Sequence, residues 1–447
     1  MRIDLPEPEA FKRMISEMTK QEITFEITGI GLDSREIHPG DLFVALSGEN
    51  MNGHDFLGQA KENGAVAAVV LNNRDNVNLP QIEVEEPEIL VGMLAAKWRT
   101  NFSLPVIGIT GSNGKTTTKD LLMHIFSASH TVHGTRGNYN TPLGLPLTLL
   151  ELTSHHTFSI LEMGANRTGD IEYLSNLSLP RYGLITNIAR AHLQSFGSIE
   201  EIARTKGELF ASLPEEGTAF INMDDNYIPE LDTPAKKVTY GFNPDCDFAA
   251  DLHRDNDGLL TIIINGEEIT LNSCDESFAK NSLAAATVSI TQGISWELFQ
   301  ESILTIQPTK GRCEVTTRDG ITVIDDCYNA NLASAIAAVD LLLSLPVKGR
   351  RVIVFGDMLE LGEISSSDHE EFGNKCARVE CDLLLCYGQE SEVTADAARG
   401  KIDARSYSNK SELTSVLKAF LKPGDAVLFK GSRGMAIDTI ITEVFKE

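Results

Sequence analysis

The sequence predicts an α/β protein of three domains, and three observations carry that expectation. The chain has 447 residues, more than one hydrophobic core usually serves. Along most of it, short apolar runs that end in polar residues alternate with helical patterns, as in parallel sheets covered by helices. Proline-containing junctions interrupt this pattern twice, at "RTNFSLP" (residues 99–105) and "IQPTKGR" (residues 306–312). The expected units are a small mixed α/β domain over residues 1–100, a central parallel-sheet domain over 101–310, and a third domain over 311–447.

Taken in order, the elements support this division. In the first unit "AVAAVVL" (residues 65–71) is the size of a strand. In the second, "PVIGIT" leads into a glycine loop, "TFSILEMG" ends at Glu162, and "YGLITNI" runs into "ARAHL". "SIEEIARTKGELFASL" places Ile199, Ile202, Ala203, Leu209, Phe210 and Leu213 on one helical face. One stretch departs from the pattern: in "LLTIIINGEEITL" (residues 259–271), Asn265-Gly266 between apolar runs reads as a hairpin turn. Beyond Gly311 the strands "GITVIDD", "RRVIVFGD", "CDLLLCYG" and "DAVLFKG" alternate with helical segments. This third unit is Rossmann-like, but it lacks the Gly-x-Gly-x-x-Gly fingerprint of a dehydrogenase. Ligands of such sheets gather at the carboxyl ends of the strands.

Composition removes several function classes. With 42% hydrophobic and 23% charged residues, the chain has the make-up of an ordinary globular protein. The start, "MRIDLPEPEAFKRMISEM", has no apolar core of signal-peptide type, and no apolar run is long enough to cross a bilayer. The seven cysteines are scattered without a Cys-x-x-Cys pair, which argues against a zinc or disulfide framework and fits the cytoplasm. A net charge of −26 disfavours nucleic acid as a partner. An anionic ligand would need lysines, arginines, helix N-termini and metal ions to overcome that field locally.

The glycine loop supplies such a place. "GITGSNGKTTTKDLL" (residues 108–122) lacks the first glycine of the usual phosphate loop, where Ile109 stands. It still carries a strand into Gly111, Ser112, Asn113 and Gly114 and then into a helix beginning Lys115, Thr116, Thr117. Backbone N–H groups at the positive end of that helix suit phosphates, Lys115 can reach terminal phosphates, and the Thr116 hydroxyl can ligate Mg²⁺. The central unit is therefore expected to be a P-loop-type ATPase domain. Glu162, at a strand end, suits a hard cation, although a carboxylate so placed is often merely solvated. His192 follows another strand end, where a lone histidine is more often structural. Lys206 lies on the apolar helical face, either snorkelling to its edge or held in a site of low polarity. Periodicity does not choose between these.

Together these stretches resemble the Mur ligase family. The family's loop is the shortened Gly-x-x-Gly-Lys-Thr-Thr found here at residues 111–117. The resemblance extends over nearly the whole chain, through "LDSREIHPGDLFVALSGENMNGHDF", "GNYNTPLGLPLTLL", "EMGANRTGDI", "TNIARAHLQSFGS", "ARTKGELF", "KGRCEV", "DDCYNAN", "GDMLELG" and "KGSRG". "DDCYNAN" with "GDMLELG", and the lack of an Asp-Asn-Pro-Arg signature, favour one branch: the ligases adding D-alanyl-D-alanine to UDP-N-acetylmuramoyl-tripeptide. The activity implied is an ATP-dependent, ADP-forming amide ligation through an acyl phosphate, in peptidoglycan precursor synthesis. The alternative is a sister ligase with another amino acid acceptor, including pseudomurein and folate-polyglutamate types.

The resemblance also implies roles for single residues. Lys115, His192 and Lys206 would be catalytic, and Gly111, Ser112, Asn113, Gly114, Thr116, Thr117, Asn281 and Arg312 would join Lys115 on ATP. Thr116, Glu162, His192 and Lys206 would serve Mg²⁺, with Lys206 as its carbamate. Ser34, Arg35, Asn138 and Asn140 would hold the UDP-substrate, and Asn329, Asn331 and Lys430 the dipeptide. The chain departs from the family pattern at three places. Ser277-Phe278 replaces a His-Asn pair, Leu332 replaces a proline, and Asn52 replaces an acidic residue. The implied partners are small molecules, and the enzyme is expected to work as a monomer.

Overall fold

The alternating runs sort into three successive sheets in the computed structural model. It describes every residue except Glu49, Asn50, His192, Pro308, Lys446 and Glu447. The first sheet takes its five strands in chain order: Arg2–Asp4, Gly29–Gly31, Asp41–Val44, Ala67–Val70 and Gln81–Glu83. Its first pair is antiparallel and the rest parallel, the mixed character expected of this part of the chain.

The second sheet has nine strands. At its heart Val106–Thr110, buried along its whole length, lies between Phe158–Glu162 on one side and Tyr182–Ile185 on the other. Val132–Gly134 closes the first flank, while Thr218–Asn222, Lys236–Gly241 and Phe248–Arg254 extend the second, all parallel. The expected hairpin completes that edge, its first strand antiparallel to Phe248–Arg254 and its second antiparallel to the first. Leu260–Ile264 and Glu267–Thr270 turn at Asn265 and Gly266, whose φ values of 52° and 91° are those a two-residue hairpin loop needs. Because the connections leave Val106–Thr110 for opposite flanks, a crevice opens at its carboxyl end, where the glycine loop begins.

The third sheet orders six strands as Glu314–Arg318, Ile321–Asp326, Ala426–Lys430, Arg351–Gly356, Leu383–Tyr387 and Asp403–Tyr407. All pairs are parallel except the first, an antiparallel edge strand that the apolar runs do not reveal. Its sequence, "EVTTR", is half-exposed and too polar to announce itself.

The three sheets are stitched together. Helix Pro87–Arg99 packs onto the central unit, where Trp98 Nε1 donates to the Leu152 carbonyl at 3.0 Å and Arg99 Nε to that of Ser178 at 2.8 Å. One apolar core accordingly runs from Ile30 and Leu42 through Trp98 to Leu145, Leu161 and Leu209. Among the described residues, no helix is long and apolar enough to cross a membrane.

Candidate functional site

The glycine loop has its shape for steric reasons. Gly111 and Gly114 have φ of 144° and 79°. A Cβ on the first would meet Thr186 Oγ1 at 1.9 Å, and one on the second Asn281 Oδ1 at 2.4 Å. Glycine is thus required by close approach as well as by backbone conformation. Gly114 is also the cap of helix Lys115–Ser127, so the helix start opens directly into the crevice. The next strand clamps the loop from below. Thr186 Oγ1 and Asn187 Nδ2 both donate to the Asn113 carbonyl, at 2.6 and 3.0 Å, and the Asn113 N–H donates to Asn187 Oδ1 at 3.0 Å. Sequence reasoning alone misses Thr186 and Asn187. Their one signal is a polar pair directly after the buried run Tyr182–Ile185.

Lys115 curls back over this loop, its Nζ donating to the carbonyls of Gly111 at 2.7 Å and Ser112 at 3.2 Å. Burial lowers its pKa, Glu162 opposes that fall, and Arg312 adds to it. Glu162 ends strand Phe158–Glu162 and is 2% exposed. Its Oε1 accepts from Asn140 Nδ2 at 2.7 Å, while Oε2 is buried and has no partner among the described residues. An orphaned carboxylate oxygen inside a protein is costly unless something fills the place beside it. Among the described residues no cluster of three His, Cys, Asp or Glu forms a protein-only metal cage. One carboxylate and one threonine hydroxyl, with the remaining positions left to water and phosphate, is the sparse oxygen set that Mg²⁺ accepts. The donor set therefore fits that ion.

Lys206 sits on helix Ile199–Ala211, which Ser198 caps by accepting from the Glu201 N–H at 3.1 Å. The residue is 5% exposed and on the cavity wall, and among the described residues its Nζ has no hydrogen bond or ion pair. Burial, with the nearby Lys115 charge, lowers its pKa to about 7.

The third unit supplies the opposite wall. Arg312 Nη2 donates to Thr116 Oγ1 at 2.8 Å, and its guanidinium lies 4.0 Å from the centre of the Tyr328 ring. Asn331 caps helix Leu332–Ser344 through a reciprocal pair with Ser334, and its Nδ2 reaches Asn113 Oδ1 at 2.8 Å. Leu332, following that cap, fills the first helical position, where proline is also well suited. Lys430, 1% exposed, is paired with Asp326 at 2.5 Å and donates to the Asn329 carbonyl at 2.9 Å. Its charge is thus neutralised by Asp326, a residue of the "DDCYNAN" motif to which the resemblance gives no role.

These groups share one cavity of about 880 Å³, lined by residues 111–117, Asn140, Glu162, Lys206, Asn281, Arg312, Asn329, Asn331 and Lys430. Three expected residues are not on its wall. Ser34 is buried and donates to Gln59 Oε1 at 2.7 Å, Arg35 is exposed and paired with Asp33 at 2.6 Å, and Asn138 is exposed. Asn52 accepts from the His54 N–H at 3.0 Å in the same outlying unit. His192 lies outside the described residues. The arrangement can hold a polyphosphate at a helix start, place a hard cation beside it, and admit a further reactant from the third unit.

Comparison with known proteins extends this picture. The models of the Mur ligase family catalytic domain, the Mur ligase middle domain and the Mur ligase glutamate ligase domain match residues 26–99, 109–289 and 311–433. A UDP-N-acetylmuramoyl-tripeptide–D-alanyl-D-alanine ligase from Synechocystis is 36% identical, across 94% of this chain and 92% of its own. The ligase of the same name from Escherichia coli is 33% identical, with 95% of each chain covered. A crystal structure of MurF from Acinetobacter baumannii superposes with a TM-score of 0.88 at 30% identity, covering 98% of both chains. MurF ligase from Thermotoga maritima in complex with ADP gives 0.80 at 29% identity, over 93% of this chain and 96% of that one.

Proposed function

The chain belongs to the Mur ligase family, and we propose that it joins D-alanyl-D-alanine to UDP-N-acetylmuramoyl-tripeptide at the expense of ATP. The observation that carries this reading is the meeting of three groups in one cavity: the Thr116 hydroxyl, the unpartnered Glu162 oxygen and the buried, unpaired Lys206. A site for phosphates alone would need neither of the last two.

The residues divide the work as follows. The N–H groups of residues 111–117 and the Lys115 ammonium hold the triphosphate at the helix start, with Asn281 toward the nucleoside. Thr116 and Glu162 would hold Mg²⁺, and His192 is assigned beside it; the ion supplies charge neutralisation at the terminal phosphate when bound. Arg312 leaves Thr116 and turns its guanidinium to the phosphates. The tripeptide carboxylate then attacks the γ-phosphorus, the bond to the β-phosphate oxygen breaks, and ADP and an acyl phosphate result. Lys115 and Arg312 offset the repulsion between carboxylate and triphosphate, which is where such a site supplies most of its catalysis. The neutral amine of the dipeptide, placed by Asn329 and Asn331 on the loop held by Lys430, attacks the acyl carbon. The C–N bond forms, inorganic phosphate leaves, and the amine loses its proton to solvent.

Lys206 acts as a carbamate. Its neutral amine adds to CO₂ with loss of a proton, replacing a repelled cation by an anion whose two oxygens would suit a hard cation. Asn140, with Asn138 just outside the cavity, carries the muramoyl end, while Ser34 and Arg35 take the distant uridine diphosphate part. On this reading the enzyme is a monomer working in the cytoplasm, where ATP is at hand. The test is a panel of amine acceptors offered with defined UDP-muramoyl peptides. Phosphate release is expected only when D-alanyl-D-alanine and the UDP-muramoyl tripeptide are both present. Equal turnover with a single amino acid would overturn the assignment.

A further inference from the structure

The proposed UDP-substrate must bridge two units. Ser34 and Arg35, assigned to its uridine diphosphate part, lie in the first unit, outside the cavity that holds Glu162 and the phosphate loop. Binding energy gained at the uridine end can help the distant carboxylate react only if the two units keep a fixed separation. Among the described residues, the hydrogen bonds joining the first unit to the central one involve Trp98 and Arg99 at one place and Tyr139 at another. A single attachment leaves a unit free to swing about it; a second removes that freedom.

Tyr139 meets an open sheet edge. Strand Arg2–Asp4 is the first of its sheet and pairs only with Gly29–Gly31. The Leu32 N–H donates to the Met1 carbonyl and the Leu5 N–H to that of Thr28, both at 2.9 Å. By the alternation of an antiparallel pair, the N–H and C=O of Arg2 therefore point away from the partner strand. The Tyr139 hydroxyl takes both, accepting from the Arg2 N–H at 2.9 Å and donating to the Arg2 carbonyl at 3.5 Å. Each side of this contact leads to residues assigned to substrate. In the first unit the Arg2 guanidinium holds the buried Asp41 through Nε and Nη2, at 2.7 and 3.0 Å. Asp41 Oδ2 in turn accepts from the His38 N–H at 2.8 Å, bracing the loop that follows Ser34 and Arg35. In the central unit Tyr139 stands between Asn138 and Asn140, and Asn140 donates to Glu162. The Tyr139 backbone is tightly packed there, since a Cβ on Gly144 would meet its Cα at 2.5 Å.

We propose that Tyr139 is a positioning residue for the UDP-substrate: by holding the Arg2 edge, it fixes the first unit against the phosphate loop, so that binding at the uridine end places the tripeptide carboxylate. This deepens the substrate reading above and rests on it. Tyr139→Phe keeps the ring and removes only the hydroxyl. Steady-state kinetics on the intact protein compare UDP-N-acetylmuramoyl-tripeptide with the same muramoyl-tripeptide lacking uridine diphosphate. In the parent, uridine diphosphate is expected to raise kcat/KM. In the variant that advantage is expected to shrink about tenfold, the scale of one lost hydrogen bond. Turnover of the truncated substrate, and KM for ATP and for D-alanyl-D-alanine, should stay as in the parent. A hydroxyl that only stabilised the fold would affect both substrates alike. Equal loss on the two substrates, or an undiminished advantage, overturns the proposal while leaving the substrate assignment in place. A parent that gains nothing from uridine diphosphate overturns the substrate assignment and the proposal with it.

Discussion

Replacing Lys206 by methionine should make the protein more stable and inactive at the same time. The free lysine titrates at 10.5, and in the folded chain burial beside Lys115 brings this to about 7. At pH 7 the neutral fraction then rises from about one in three thousand to about one half, so the amine is ready to react with CO₂. The same shift destabilises the fold. Below pH 7 both the folded and unfolded chains carry the proton, and the whole penalty is present. As pH rises from about 7 toward 10.5, only the unfolded chain still holds it, and the penalty disappears. The shift corresponds to at most about 5 kcal/mol. Lys206→Met, of similar length and uncharged, should therefore melt higher than the CO₂-depleted parent at pH 6–7. The gain should vanish near pH 10, while turnover falls by about a thousandfold or more. Lys206→Arg retains the charge and cannot form the adduct, so it should be equally inactive without being stabilised. Supplying ¹³C-labelled bicarbonate should produce a carbamate signal in the parent only. If Lys206→Arg keeps more than a tenth of the activity, and the parent shows neither the signal nor a response to CO₂, the reasoning is refuted.

Three further outcomes are expected. Lys115→Ala should fold normally and lose acyl-phosphate formation by about a thousandfold, as judged by hydroxylamine trapping; near-normal trapping would remove Lys115 from the phosphates. Gly114→Ala must strain φ at 79° and drive a Cβ against Asn281 Oδ1, so it should lower the melting temperature and cost about 1–3 kcal/mol. An unshifted melt would show that the loop relaxes freely. Asn331→Ala removes both the cap of helix Leu332–Ser344 and the link to Asn113. It should cost about 1 kcal/mol in denaturant unfolding and raise KM for the dipeptide, whereas a change in KM for ATP alone would contradict its placement.

Much of this protein is legible in its amino-acid sequence. Strand and helix periods, the Asn265-Gly266 turn and the spacing of Gly111, Gly114 and Lys115 are local properties. Steric and hydrogen-bonding rules acting over a few residues determine them, and so the α/β plan of three units and the phosphate loop can be read directly. The resemblance to the Mur ligases can be read for the same reason, since it rests on contiguous motifs. What depends on groups far apart in the chain cannot be read. By sequence Lys206 looks equally like a snorkelling or a functional lysine, because periodicity reports a face and not whether the tip of the side chain reaches water. Packing leaves that residue 5% exposed. The resemblance assigns Lys430 to the dipeptide, but nothing in the sequence shows that Asp326, 104 positions away, neutralises it. Thr186 and Asn187 matter only because parallel strands bring their ends to one level beside the loop, and Ser34, Arg35 and Asn138 fall outside the cavity by the same geometry. Sequence determines which chemistry is available in each segment; pairing of strands and the contacts of the third unit with the loop decide which of those groups meet, because desolvation and charge compensation are set by neighbours in space.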